Sequence, residues 1–249
     1  MLNKCLHEID AGYFKEFPAP MFEAMTRLNT GEMNGTTPHY GPMLYVLGKA
    51  IGVTNVLEIG VARGWSASFM AYAVLENNNR YASHGFYYGL DCSDKSHIQK
   101  EHDEAGLPSR FIQDPKGSVH FLRNQKIWTP GMFDLIFIDG WHNNVYVQKE
   151  LDLVYPLLKG NGDGYVCFHD IYAFVEGAWP KLIDRMAPDA AGVMRPAWEH
   201  IRFIQNYGFG ILRKMEGYDH SKVFWPSGDQ KTPECDKDPD VIEASGEGN

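Results

Sequence analysis

Short apolar runs alternate along the middle of the chain with segments of helical periodicity. Five runs are predicted strands: Val56–Ile59, Tyr87–Asp91, Arg110–Gln113, Phe133–Asp139 and Tyr165–Asp170. Amphipathic or apolar segments between them are predicted helices: Tyr40–Ile51, Ser66–Val74, Lys95–Ala105 and Val145–Leu158. A nearly continuous apolar run such as Phe133–Asp139 is typical of a parallel strand buried on both faces. Strands alternating with helices predict an α/β fold.

The two ends of the chain differ from this middle part. Residues 1–37 carry a mixed apolar pattern broken by prolines, which predicts a helical leader that packs on the core, forms a lid or mediates a homodimer. After the fifth strand, Val175–Met186 is a predicted helix, and Trp198–Gln205 and Gly208–Lys214 are predicted closing strands. Residues 226–249 are polar and acidic, so we expect a disordered tail after a domain spanning 38–225.

The amino-acid composition and net charge argue against nucleic-acid-binding, membrane-spanning and secreted proteins. The net charge of -9 over 249 residues argues against a nucleic-acid partner, because neutralising phosphates requires a basic surface. No apolar run approaches the length of a membrane span, and the first residues do not resemble a secretory signal. The four cysteines are scattered without a C-x-x-C pair, which favours reduced thiols. We therefore expect a cytoplasmic protein that does not associate with membranes.

The stretch Val56–Ala67 predicts a buried strand, a glycine turn and the start of a helix. Glycines allow a tight turn and let a ligand lie against bare backbone beside the unsatisfied N–H groups of the helix. The spacing is Glu58-x-Gly60-x-x-x-Gly64 rather than the G-x-G-x-x-G of dinucleotide sites. An acid before the first glycine favours a ligand with a cationic end over a pyrophosphate.

Polar residues follow the other predicted strands. Asp91 ends the second strand, where it can bind the hydroxyls of a ribose or cap the next helix. Gly117 and Ser118 follow the third strand in a turn that can meet an adenine edge or simply cap a helix.

The fourth and fifth strands end in Asp139, His142, His169 and Asp170. Adjacent parallel strands bring such residues to one edge of the sheet. Carboxylates and imidazoles there can hold a divalent cation, which would lower the pKa of a substrate hydroxyl. His142 is the candidate general base, because imidazole titrates near neutral pH. The alternative is that both aspartates cap helices and both histidines serve packing or loop structure.

Together these motifs resemble the class I S-adenosylmethionine (SAM) dependent O-methyltransferases, from about Tyr40 to Lys214. Val56–Ala67 is similar to motif I of the catechol O-methyltransferase branch. Ile138–Tyr146 and Gly164–Ile171 look more like the branch that acts on macrolide sugars and related natural products. The resemblance implies a Rossmann-like seven-stranded sheet with helices on both faces.

The resemblance also implies roles for individual residues. The methionine part of SAM would lie on Glu58, Gly60 and Gly64, together with Val61 and Ser66 of the same turn. Asp91 would bind the ribose, and Gly117 and Ser118 the adenine, with Asp139 also near the cofactor. The metal ligands would be Asp139, His169 and Asp170, and His142 the base. His169 stands where the family usually has an acid, which weakens the case for Mg²⁺ or favours Mn²⁺ or Fe²⁺.

The sequence therefore predicts methyl transfer from SAM to a hydroxyl of a small molecule such as a sugar or polyphenol. Three alternatives stay open. One is a metal-independent methyltransferase in which His142 or His169 acts alone, and another is a SAM-binding module without catalysis. The third is an α/β protein that binds another nucleotide, such as a dehydrogenase.

Overall fold

The computed structural model describes residues 40–160, 162–172, 179–203 and 208–223. The predicted helical leader and acidic tail lie outside the described residues, as do Cys5 and Cys235. Of the other two cysteines, Cys92 is exposed and Cys167 is buried, and both are free thiols. Cys167 lies within the fifth strand rather than at its end.

Helices and strands alternate as the sequence predicts. The helices are α1 (Tyr40–Ile51), α2 (Trp65–Tyr81), α3 (Ser96–Glu104), α4 (Ser118–Asn124), α5 (Asn144–Val154) and α6 (Trp179–Ile183). The strands are β1 (Val56–Ile59), β2 (Tyr87–Asp91), β3 (Ser109–Gln113), β4 (Leu135–Ile138), β5 (Tyr165–His169), β6 (Met186–Pro188), β7 (Met194–Pro196), β8 (Trp198–Phe203) and β9 (Phe209–Lys214).

Seven of the strands form one sheet in the order β3-β2-β1-β4-β5-β9-β8. Strands β1 to β5 are parallel, and β9 runs antiparallel between β5 and β8. Because β1 pairs with both β2 and β4, strands β2 and β3 lie on one side of β1 in the sheet, and β4 and β5 lie on the other. Ligands of open α/β sheets bind at this switch point, beyond the carboxyl ends of the strands.

The central strands are buried on both faces. Leu135 and Phe137 of β4 join one apolar cluster, which includes residues of α1, α2 and α3. Ile136 and Ile138 join the other, which includes residues of α4, α5 and α6. Successive strand side chains point to opposite faces, so the continuous apolar run is explained by helices on both sides of the sheet. The predicted fold class is confirmed.

Three predicted helices have different bounds. The helix expected over Ser66–Val74 runs from Trp65 to Tyr81. The helix expected to end at Leu158 leaves α-helical geometry after Val154, and a 3₁₀ turn containing Pro156 follows. The helix expected over Val175–Met186 is helical only from Trp179 to Ile183 in its described part. Met186 instead begins β6, which pairs with β7 in a separate two-stranded sheet. Within the described ranges, no helix combines the length and apolarity needed to cross a membrane.

Candidate active site

A cavity of about 430 Å³ opens at the carboxyl ends of β1, β2 and β4. Its lining residues come from the ends of β1 and β2, from the loops that follow β1, β2 and β4, and from the first turns of α4 and α5. They are Ile59, Gly60, Ala62, Leu90, Asp91, Cys92, Ser93, Lys95, Gly117, Ser118, Asp139, Gly140, Trp141, His142 and Tyr146. Five of the nine predicted cofactor-binding residues are in this wall: Gly60, Asp91, Gly117, Ser118 and Asp139.

The turn after β1 depends on Gly60. Its φ is +86°, and a Cβ at this position would lie 2.2 Å from the backbone oxygen of Asp139. Gly64, with φ +80°, is the N-cap of α2, and its N–H donates to the carbonyl of Val61 at 2.8 Å. Gly60 therefore lets the loops after β1 and β4 approach each other, and Gly64 closes the turn that leads into α2.

Glu58 lies behind this turn and not in the cavity wall. It is fully buried, and its carboxylate accepts hydrogen bonds from the hydroxyls of Ser66 and Tyr87. Burial raises the pKa of Glu58 to about 8, against the opposing effect of these two bonds. Of the predicted cofactor residues, Glu58, Val61, Gly64 and Ser66 are not among those that line the cavity. Glu58 instead ties β1 to β2 and to the first turn of α2.

Asp91 does line the cavity, and it also fixes the glycine turn. One carboxylate oxygen accepts from the N–H groups of Val61 at 2.9 Å and Ala62 at 3.1 Å. The other accepts from the N–H and hydroxyl of Ser93 at 2.8 and 2.7 Å. Burial alone would raise the pKa of Asp91, but the bonds from Ser93 and the ammonium of Lys95 hold it below its usual value. Asp91 does not cap α3, whose N-cap is Lys95.

Lys95 is a cavity residue that the sequence analysis missed. Its ammonium donates to the carbonyl of Ala62 at 2.7 Å and lies 3.4 Å from Asp91. The four-residue spacing between Asp91 and Lys95 was the available signal, but such spacing is common on exposed helices.

At the other side of the cavity, Gly117 and Ser118 begin α4. The φ of Gly117 is +92°, and a Cβ there would lie 2.6 Å from the hydroxyl oxygen of Tyr146. That hydroxyl also accepts the N–H of Val119 at 3.3 Å. Trp141 is half exposed and lines the cavity. Tyr146 was not predicted as a site residue, because helical periodicity alone does not show that its hydroxyl reaches α4.

The predicted acid–histidine cluster is present beside this cavity. His142 Nε2 lies 2.8 Å from Asp170 Oδ2 and 3.4 Å from Asp139 Oδ1. His169 Nδ1 lies 3.0 Å from Asp139 Oδ1 and 3.3 Å from Asp170 Oδ1. Asp170 has a φ of +58°, a left-handed conformation that aspartate tolerates better than most residues and that concentrates at functional sites.

The carboxylates and imidazoles of this cluster stabilise each other's charged forms. Hydrogen bonds to Asp139 and then to Asp170 raise the pKa of His142 to about 10. Burial would lower the pKa of His169, but the same two carboxylates raise it to about 9. Burial likewise opposes ionisation of Asp170, yet its bonds from His142 and His169 lower its pKa to about 2. Both imidazoles are therefore cationic at neutral pH in the absence of another cation.

The donor set suits a cation that accepts oxygen and nitrogen ligands. One ligand atom each from Asp139, His142 and Asp170 lies within 4.8 Å of the other two. His169, the predicted third ligand, is not in this trio, although its Nδ1 contacts both Asp139 and Asp170. Its Nε2 is buried with no hydrogen-bond partner among the described residues, and its ring packs edge-on against Tyr40 at 4.9 Å.

A mostly parallel seven-stranded sheet, with a glycine turn after β1 and acids at the ends of β2, β4 and β5, is the arrangement that the resemblance to class I methyltransferases implies. Residues 57–171 match the family model described as a methyltransferase domain. The chain therefore contains a methyltransferase domain, and the resemblance that the sequence motifs indicate is confirmed for this domain and its fold.

Many solved structures are similar to the chain, and two of them illustrate the likeness. An S-adenosylhomocysteine (SAH) bound methyltransferase of Podospora anserina, PaMTH1, superposes with a TM-score of 0.62 at 16% identity and covers 86% of this chain and 96% of its own. An O-methyltransferase from Bacillus cereus in complex with SAH has a TM-score of 0.56 at 20% identity, covering 80% and 93%. At these identities the structures show the shared fold.

A curated relative is the mycinamicin VI 2''-O-methyltransferase of Micromonospora griseorubida. It is 31% identical over 108 residues, which are 43% of this chain and 25% of the relative. The match thus spans a quarter of the relative's length.

Proposed function

We propose that this protein transfers a methyl group from SAM to a hydroxyl of a small molecule. The observation that carries the proposal is the cavity at the switch point of a methyltransferase domain, bordered on one side by Asp139 and His142. Methyl transfer from a sulfonium is an in-line displacement, so the protein mainly has to position the two reactants and remove the acceptor's proton.

The cavity suits the parts of SAM in a defined order. Gly60, Asp91 and Ser118 all line the cavity. Gly60 would offer bare backbone to the methionine end, Asp91 would bind the ribose and Ser118 would face the base. Asp91 already accepts four protein hydrogen bonds, so a ribose hydroxyl would share its oxygens with the N–H groups of the turn. Binding of SAM would then be coupled to the conformation of the glycine turn.

Asp139 and Asp170 would hold a divalent cation, with His142 beside it as the base rather than as a ligand, because a metal-bound ring nitrogen cannot accept a proton. When bound, such an ion lowers the pKa of a coordinated hydroxyl and, by balancing the two carboxylates, that of His142 as well. His142 needs this balance, because an imidazole with a pKa of about 10 is protonated at neutral pH and cannot accept a proton. His169 would orient Asp139 through its Nδ1. The mycinamicin VI 2''-O-methyltransferase among the relatives supports a hydroxylated natural product, such as a glycoside, as acceptor.

The proposal is tested with methyl-labelled SAM and a panel of catechols, flavonoids and deoxysugar glycosides, with and without EDTA and added Mg²⁺ or Mn²⁺. We expect transfer to a hydroxylated acceptor that EDTA abolishes and either metal restores. Asp170→Asn should lower turnover at least about 100-fold, whereas Asp103→Asn, a matched change on exposed α3, should not.

Two results would change the proposal. Full activity in EDTA would favour the metal-independent alternative, in which His142 or His169 acts alone. SAH binding without turnover on any acceptor would favour the non-catalytic module.

A further inference from the structure

Glu150 is a buried acid beneath the cavity wall. It lies on α5 and is fully buried, and its Oε1 accepts the hydroxyl hydrogen of Ser118. A Cβ on Gly140 would lie 3.4 Å from the same oxygen. Ser118 and Gly140 both line the cavity, whereas Glu150 does not. The carboxyl group thus supports two segments of the wall from behind.

Packing does not explain an acid at this position. The neighbouring inward positions of α5 are apolar and buried, namely Val147, Leu151 and Val154. Glu150 Oε2 is buried with no hydrogen-bond partner among the described residues. Burial raises the pKa of Glu150 to about 8, against the bond from Ser118. An apolar side chain would avoid this cost, so the acceptor facing Ser118 is the property that distinguishes glutamate here.

The contact with Glu150 determines what Ser118 offers to the cavity. A serine hydroxyl has one hydrogen and two lone pairs. Ser118 Oγ can also donate to the hydroxyl of Tyr146, but at 3.3 Å that contact is long and competes weakly with Glu150 for the one hydrogen. With its hydrogen directed at Glu150, Ser118 presents lone pairs to the cavity and favours a ligand group that donates.

We propose that Glu150 is a positioning residue that fixes the Ser118 hydroxyl as an acceptor and so makes the cavity selective for a purine with an amino group. This inference rests on the proposed function, which places the base of SAM beside Ser118. A 6-amino group would donate to Ser118 Oγ, whereas a 6-oxo group would meet its lone pairs. Buried polar groups that are left unpaired in this way are an effective source of discrimination.

The test compares the affinities of SAH and S-inosylhomocysteine, which differ in the 6-substituent, by titration calorimetry on the full chain. We expect the wild type to prefer SAH. Glu150→Met, which removes the acceptor from an unbranched chain, should reduce this preference about tenfold by releasing the hydroxyl. Glu150→Gln keeps a carbonyl acceptor and should retain the preference. Glu104→Gln, on the exposed face of α3, is the matched control.

The ratio of the affinities for SAH and S-inosylhomocysteine distinguishes a positioning role of Glu150 from a general effect on protein stability. A Glu150→Met protein that weakens both ligands equally would overturn the inference, as would a Gln variant that behaves like Met. Should Glu150→Met fail to fold, Ser118→Ala gives the same readout, and an unchanged ratio there would also overturn it. Failure of the wild type to bind either ligand would instead refute the proposed function.

Discussion

Glu58 and Asp91 show how individual side chains of this site hold each other in place. Both were predicted to bind the cofactor, Glu58 from its place before the glycine turn and Asp91 from its place at the end of β2. Glu58 instead accepts hydrogen bonds from Ser66 and Tyr87 behind the cavity wall, and Asp91 binds the backbone of Val61 as well as facing the cavity. Sequence position indicates which strand end a residue occupies. It does not show whether the protein or a ligand satisfies its oxygens.

The buried carboxyl of Glu58 predicts a pH dependence of stability. Its pKa is about 8 in the folded protein, against 4.5 for a solvated glutamate such as that of the unfolded chain. Between these values the unfolded chain releases a proton that the folded protein keeps. The free energy of unfolding should therefore fall as pH rises, by up to about 1.4 kcal/mol per unit, and level off above pH 8.

Urea unfolding of the wild type and of Glu58→Gln between pH 5 and 8 measures how much Glu58 contributes to this pH dependence, because glutamine cannot ionise. The stability advantage of the wild type should decline with rising pH, while Glu104→Gln follows the wild type throughout. Parallel curves for Glu58→Gln and wild type would contradict the account.

The glycine turn is an element whose sequence signal is local, and it was predicted correctly. Gly60 and Gly64 have positive φ values that most side chains disfavour, so their spacing indicates the turn without knowledge of the rest of the fold. The β6–β7 hairpin shows the opposite case. Met186 was assigned to a helix, because the pairing of β6 with β7 is a tertiary contact that local periodicity does not contain.

Gly60→Ala tests the close approach of the turn to the loop after β4. A Cβ at Gly60 would lie 2.2 Å from Asp139 O, whereas one at Gly106, which also has a positive φ, would meet nothing within 4 Å. Gly106→Ala should cost about 1 kcal/mol from backbone strain alone. Gly60→Ala should cost about 2 kcal/mol more, because backbone must move. Equal losses in urea unfolding would show that the loops are not in contact.

At the scale of the whole molecule, a stabilising network lies at the amino ends of the parallel strands and the candidate active site lies at their carboxyl ends. Asp134 precedes β4, and its carboxylate accepts from the N–H groups of Thr54 and Asn55, each at 2.8 Å, and from Lys159. These residues precede β1 and β5, so Asp134 joins three strands at their amino ends. The candidate active site lies at their carboxyl ends. The order of predicted strands and helices indicates this polarity, but not the network that secures it.

Asp134→Ala should therefore separate stability from binding. Loss of several charge-assisted hydrogen bonds at a buried position should cost about 3 kcal/mol of unfolding free energy. The dissociation constant for SAH should stay within about twofold of wild type, measured by calorimetry well below the melting temperature. Asp103→Ala, on exposed α3, controls for removing an aspartate. A large loss of SAH affinity in folded Asp134→Ala protein would mean that the two ends are coupled.

The central claim is that the cavity beside the β1 turn binds SAM and its product. Thermal unfolding of the full chain with SAH, with NAD and with buffer tests it most directly. At a hundred times its dissociation constant, a ligand that binds only the folded state adds about 2.7 kcal/mol. We predict that SAH raises the melting temperature and that NAD does not. A rise with NAD and none with SAH would contradict the assignment of the cavity and the function proposed from it.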